Sequence, residues 1–148
     1  MVRLAYDTKV DLNYFQRGVT VRYIRIVARV SFETADGSWT KPTDAIIDTG
    51  GPISIIPRSV WKQIRYGFYS DIETEVLVGG RASKGRFGQV TLCFHDAQER
   101  ERISPPLAIK AYLLSDDSYP IVLGFEDILT DVALYSDYPQ QEVFLSFR

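Results

Sequence analysis

The chain is poor in the residues that specialised chemistry draws on. It has one cysteine, Cys93, so no internal disulfide can form, which suits a reducing compartment. It has one histidine, His95, so a zinc site would find one ligand of each kind where several are needed. A Ser-His-Asp triad would have to use that same His95, expected in a solvated turn, and no elbow motif lies near any serine. No apolar run approaches the roughly 18 residues of a membrane span, and even 107–114 is interrupted by Lys110. Residues 1–7 lack the continuous apolar segment of a signal peptide. Neither sign of charge dominates: 17 basic against 19 acidic side chains give a net charge of -2, no reason to expect nucleic acid or an anionic membrane. Asp116-Asp117 lacks the spacing and glycine of a calcium loop. Gly85 is followed by Arg86-Phe87, so no phosphate loop is present. The expectation is a cytoplasmic protein with one domain over residues 1–148 and no cofactor, metal, nucleic-acid or membrane partner.

What the chain does have is alternation. Ile24, Ile26, Ala28, Val30 and Phe32 share one face of a long half-buried strand. Shorter strands are expected at 2–6, 43–47, 73–78, 89–94, 107–114, 121–123, 132–135 and 143–147. Residues 7–18 read as irregular, and Ala35-Asp36-Gly37-Ser38 reads as a hairpin turn. Residues 57–65 suggest a short helix, with proline in its first turn, an apolar stripe of Val60, Trp61 and Ile64, and Gly67 as its stop. Cys93 falls in an alternating strand and is expected to be buried. Many short strands and one or two short helices indicate a mainly β domain, barrel-like or sandwich-like.

One stretch departs from this pattern. Ala45-Ile46-Ile47 runs straight into Asp48-Thr49-Gly50-Gly51, and Pro52-Ile53-Ser54-Ile55-Ile56-Pro57 follows. An acid beside buried strand residues is costly unless it is hydrogen-bonded. Two glycines let the backbone turn tightly and come close to whatever sits over the acid. The pattern predicts a carboxyl at the floor of a cleft, held by main chain.

Asp48-Thr49-Gly50, with its Ile-Ile entry and Ser-Ile-Ile-Pro exit, resembles the active-site loop of aspartic proteases. A second motif, Ile121-Val122-Leu123-Gly124, looks like the apolar-apolar-Gly element beside that loop. The order and separation of the two are similar to those of single-domain, retropepsin-like members, and the resemblance covers roughly residues 19 to 147. It implies a mainly β, closed barrel with one or two short helices, and an aspartic endopeptidase that needs no metal or cofactor. Such chemistry takes two carboxyls sharing a proton. The chain carries one Asp-Thr-Gly and no second copy, so the resemblance implies a homodimer in which two Asp48 residues meet across a twofold axis. Thr49, Gly50 and Gly51 would support the loop; Ile121, Leu123 and Gly124 would form the cleft floor.

The flap of that family corresponds to 78–88, with Gly79, Gly80, Arg81 and Ala82 as candidates and four glycines favouring a mobile hairpin over an extended polypeptide substrate. Ile53, Ile55 and Ile121 are candidates for side-chain pockets or for core. The terminal strands could build the dimer sheet, or could be plain barrel strands. Three departures stand out. Gly51 offers no hydroxyl to a carboxylate, from which activity at mildly acidic pH is expected. Pro52 replaces an acid, and Phe125 stands where relatives often have a basic residue. Two other functions stay open: a non-catalytic dimerisation or peptide-binding module with the same fold, and a monomer whose second aspartate comes from another protein.

Overall fold

The computed structural model describes residues 1–78 and 80–147. In chain order its elements are β1 (Val2–Arg3), β2 (Ala5–Val10), α1 (Leu12–Phe15), β3 (Arg22–Phe32), β4 (Thr43–Ile47) and β5 (Ser54–Ile56). There follow α2 (Arg58–Trp61), β6 (Tyr66–Phe68), β7 (Thr74–Val78), β8 (Arg81–His95) and β9 (Leu107–Leu114). The chain ends through β10 (Val122–Leu123), β11 (Ala133–Asp137) and β12 (Glu142–Ser146). The protein is thus mainly β with two short helices. Among the described residues, no helix is long and apolar enough to cross a membrane, which says nothing of crossings made by strands.

A nine-stranded sheet runs β2-β3-β4-β10-β5-β9-β8-β6, with β7 attached to β8 and β3 pairing with β8 as well as β4. A separate three-stranded sheet has the order β1-β12-β11. The terminal strands therefore pair within one chain, Val2 opposite Leu145 and Arg3 opposite Phe144. Alternation does what the sequence suggests along β3: Ala28, Val30 and Phe32 are fully buried. They join Phe94, Ile109, Leu113, Leu123 and Leu145 in the main core. Cys93 is buried as expected, and burial pushes its thiol pKa up.

Four segments differ from expectation, each for a local reason. Residues 7–18 are not irregular: β2 runs on to Val10, and the Asp11 carboxylate then accepts the Asn13 and Tyr14 N–H groups to cap α1. The second helix stops at Trp61, and Gly67 sits inside β6 opposite Gln89. Residues 81–88 are strand rather than loop. Two of the glycines there meet crowding: a Cβ at Gly85 would lie 3.0 Å from the Leu113 carbonyl oxygen, and one at Gly88 would collide with the Gly67 carbonyl oxygen. His95 ends β8, half-buried, with Nε2 2.8 Å from the hydroxyl of buried Ser31. Burial, and then the Arg29 charge, hold its pKa below the ordinary histidine value.

The expected hairpin turn is present. Asp36 accepts from the Ser38 hydroxyl at 2.6 Å, the Thr34 hydroxyl at 2.5 Å and the Ser38 N–H at 3.1 Å. Bonds from Ser38 and then Thr34 lower its pKa from 3.8 to about 2. Because the folded value is the lower one, the turn gains support above pH 3.8 and loses it as pH falls through about 2. An NMR titration should place the Asp36 midpoint near 2, with Ser38→Ala moving it up towards 3.8; a wild-type midpoint at 3.8 would refute the bonding described. Gly88→Ala should lower stability by about 1–3 kcal/mol in urea denaturation, since the backbone it meets cannot rotate away. An unchanged midpoint would show that β6 and β8 are not in close contact there.

Candidate active site

The site is built from backbone before any side chain takes part. β10 lies between β4 and β5, parallel to the first and antiparallel to the second. Val122 stands opposite both Ile46 and Ile55. The connection from β4 to β5 must therefore arch over the end of β10, and that arch is residues 48–53. The Ile46 N–H donates to the Ile121 carbonyl and the Asp48 N–H to the Leu123 carbonyl, both at 2.9 Å. Asp48 is thus anchored by the same ladder that forms the strands.

The chain leaving β10 passes directly beneath the arch. Gly124 donates to the Ser54 hydroxyl at 3.0 Å, Phe125 to the Gly51 carbonyl at 2.7 Å and Glu126 to the Pro52 carbonyl at 3.0 Å. A Cβ at Gly124 would lie 2.7 Å from the Ile53 carbonyl carbon and 2.8 Å from the Gly51 and Ile53 carbonyl oxygens. These are backbone atoms that cannot move aside, so only glycine fits. Further along, Asp127 adopts a left-handed φ of 65°. Its carboxylate accepts the Lys110 N–H at 2.7 Å and the Lys110 ammonium at 2.8 Å. The second bond is the main reason the Lys110 pKa is raised. Asp127 thereby ties the turn beneath the arch to the middle of β9.

Asp48 emerges from this base with its carboxyl exposed. Its Oδ1 accepts the Gly50 N–H at 3.0 Å and the Gly51 N–H at 3.2 Å. Gly51 lies so close that a Cβ there would sit 3.2 Å from Oδ2. Thr49 is exposed, and its hydroxyl makes no hydrogen bond among the described residues. Asp48, Gly50 and Gly51 line a cleft of about 400 Å³. Its remaining floor is apolar, from Pro52, Ile53, Ile55 and Val122, and Tyr112 and residues 75–77 of β7 complete it.

The sequence candidates divide accordingly. Ile121 and Leu123 are buried in the main core and serve the site through their carbonyls. Ile53 and Ile55 do line the cleft, whereas Ile121 does not. The hairpin of β7 and β8 has Leu77 opposite Ala82 and Val78 opposite Arg81. Gly80 makes its turn at a φ of 79°, and Gly79 lies outside the described residues. Of this hairpin, Glu75, Val76 and Leu77 line the cleft, while Arg81 and Ala82 do not. The hairpin is also tethered: the Ser83 hydroxyl donates to the Asp116 carboxylate at 3.3 Å and the Tyr119 hydroxyl to the Arg81 carbonyl at 3.3 Å. Sequence reasoning passed over Glu75, Tyr112 and Val122, although alternation contained the signal. Val122 must face away from buried Ile121 and Leu123, whereas on β7 it is the buried Val76 that packs with Ile55, Tyr112 and Val122.

Among the described residues, no three His, Cys, Asp or Glu side chains gather closely enough to hold a metal ion. No protein-family model matches the chain, and none of the curated proteins compared with it is a significant match.

Ser54 is fully buried and gives the Gly124 N–H its acceptor. Ser54→Ala should therefore cost about 1–3 kcal/mol, measured in urea, because that donor is left unpaired. Asp48→Asn should stay within about 0.5 kcal/mol of wild type, since the site is exposed and an amide oxygen accepts the same two N–H bonds. The reverse order of costs would contradict the backbone-built arch.

Proposed function

We propose that this chain is a retropepsin-like aspartic endopeptidase that works as a homodimer. The observation that carries the proposal is the exposed Asp48 carboxyl, fixed by the Gly50 and Gly51 N–H groups at the floor of an apolar cleft walled by the β7–β8 hairpin. Pairing of β3 with both β4 and β8 supports the closed-barrel form of that family. The lone cysteine fits a cytoplasmic setting.

One Asp48 cannot complete the reaction. Its exposure in the single chain leaves room for the twin carboxyl of a second copy. With one proton shared between the two, the ionised carboxylate takes a proton from a bound water as its oxygen attacks the peptide carbonyl carbon. The protonated partner gives its proton to the carbonyl oxygen, forming a neutral gem-diol. As that intermediate collapses, one of its hydroxyl protons returns to the partner carboxylate, the C–N bond breaks, and the proton taken from water passes to the leaving nitrogen, which frees the acid and the amine and restores the shared proton. The Gly50 and Gly51 N–H groups hold the carboxylate in place without touching the substrate. β7 pairs with β8 alone among the described residues, which leaves its other edge for an extended peptide strand. Ile53, Ile55, Val122 and Tyr112 favour apolar side chains beside the scissile bond.

The deciding experiment compares wild type with Asp48→Asn on a peptide library, with light scattering for mass. Hydrolysis should fall by about 10²–10⁴-fold or more while the dimer persists. A wild-type dimer that cleaves nothing would leave a peptide-binding module, and a variant that cleaves as fast would remove Asp48 from the chemistry. Because Gly51 supplies no hydroxyl to the carboxylate, the pH–rate profile should peak at mildly acidic pH; a maximum only at strongly acidic pH would refute that role.

A further inference from the structure

We propose that the β2–β3 hairpin, with α1 at its tip, is an arm that grips the second copy of this chain; the inference rests on the two-subunit dyad proposed above. β3 outruns its neighbour. Ile26 stands opposite Ile47, the last residue of β4, and β3 extends four residues further, to Arg22. β2 accompanies it, with Asp7 opposite Arg25 and Val10 opposite Arg22. At about 3.3 Å per residue the ribbon projects ~13 Å past Ile47. It projects in the direction in which β4 delivers Asp48, towards where a twin Asp48 loop must lie.

The projecting part exposes apolar side chains towards its tip. Seven of the sixteen large hydrophobic residues exposed among the described residues fall between 10 and 24. Leu12 is 70% exposed, Phe15 59%, Tyr23 54% and Val19 50%, and α1 buries none of its residues. A two-stranded ribbon is marginal by itself. This one is nonetheless a built structure. The Asp11 N–H donates to the Val21 carbonyl at 2.8 Å, and Asp11 Oδ2 accepts the Tyr23 hydroxyl at 2.9 Å. Its root is fastened to Tyr138, whose hydroxyl lies 3.0 Å from that of Thr8 and whose ring lies edge-on to Tyr6 at 5.0 Å.

Size and symmetry identify the occupant. A stable interface takes about 800 Å² from each partner, more than the arch of residues 48–53 provides. Aromatic side chains bury about 150–250 Å² each when fully covered, and Tyr14, Phe15 and Tyr23, each 47–59% exposed, still have about half of that to give to a partner. A twofold axis through the paired Asp48 loops brings two such arms into reciprocal contact, each over the other copy.

The test is sedimentation of the full chain carrying Leu12→Ser with Phe15→Ser, both at exposed positions, over a concentration series beside wild type and Asp48→Asn. The arm variant should keep its melting temperature under monomeric conditions and weaken dimerisation by ~100-fold or more. Asp48→Asn should remain dimeric. An arm variant that dimerises as tightly as wild type overturns the arm, as does a wild type that is monomeric throughout. A wild-type dimer that cleaves no peptide, beside a monomeric arm variant, upholds the arm and overturns the hydrolase. If the variant does not fold, hydrogen exchange of wild type decides: amides 10–24 should slow as protein concentration rises, and concentration-independent exchange overturns the arm.

Discussion

The structure depends on β10 being threaded between β4 and β5. A two-residue strand could not hold that place by its own contacts. It is held because the carbonyls of Ile121 and Leu123 take the N–H groups of Ile46 and Asp48, and because the chain leaving it donates three successive N–H groups, one to Ser54 of β5 and two into the arch above. The arch cannot close on any residue but glycine at 124, where three backbone atoms lie within 2.8 Å of a Cβ position. The Asp48 carboxyl is therefore positioned by main-chain geometry on both sides, ahead of any side-chain contact. A group held this way needs little reorganisation when charge moves through it.

This constraint also explains how the cleft is divided. Alternation over 121–123 sends Ile121 and Leu123 into the core and Val122 to the open side. On β7, Val76 packs with Ile55 and Leu114 while Leu77 stays 76% exposed at the cleft. Apolar surface so displayed is costly unless something covers it, and an extended peptide between β7 and the floor would do so. Asp127 and Lys110 stabilise the layer beneath: a left-handed residue whose carboxylate is doubly bonded fixes the turn that carries Gly124.

Much of this was legible in the residues, and the failures have physical causes. Period-two alternation located β3, and Asp36-Gly37 located its turn, because strand faces and left-handed turns leave direct marks on residue choice. The Asp-Thr-Gly loop and the Ile-Val-Leu-Gly segment were found, and the structure brings them into contact. The hairpin expected at 78–88 is present, but the strand bounds there are not marked in the residues, because glycine serves close approach as well as turns. Gly85 and Gly88 lie in a strand that is crowded by Leu113 and Gly67, and no local pattern distinguishes those two uses. His95 was placed in solvent because its sequence neighbours are polar, whereas its partner Ser31 lies 64 residues away on β3. The projecting arm was missed for the same reason: residues 7–18 have no period, and their order comes from Asp11, Tyr23 and Tyr138, which only the fold brings together.

The central claim is that two copies of Asp48 form one site. Its most direct test is an experimental structure of the assembled protein, read for the separation of the two Asp48 carboxyls. The account predicts a twofold dimer with those carboxyls about 3 Å apart, close enough to share a proton. A monomer, or a dimer whose Asp48 side chains open into separate clefts, would contradict it.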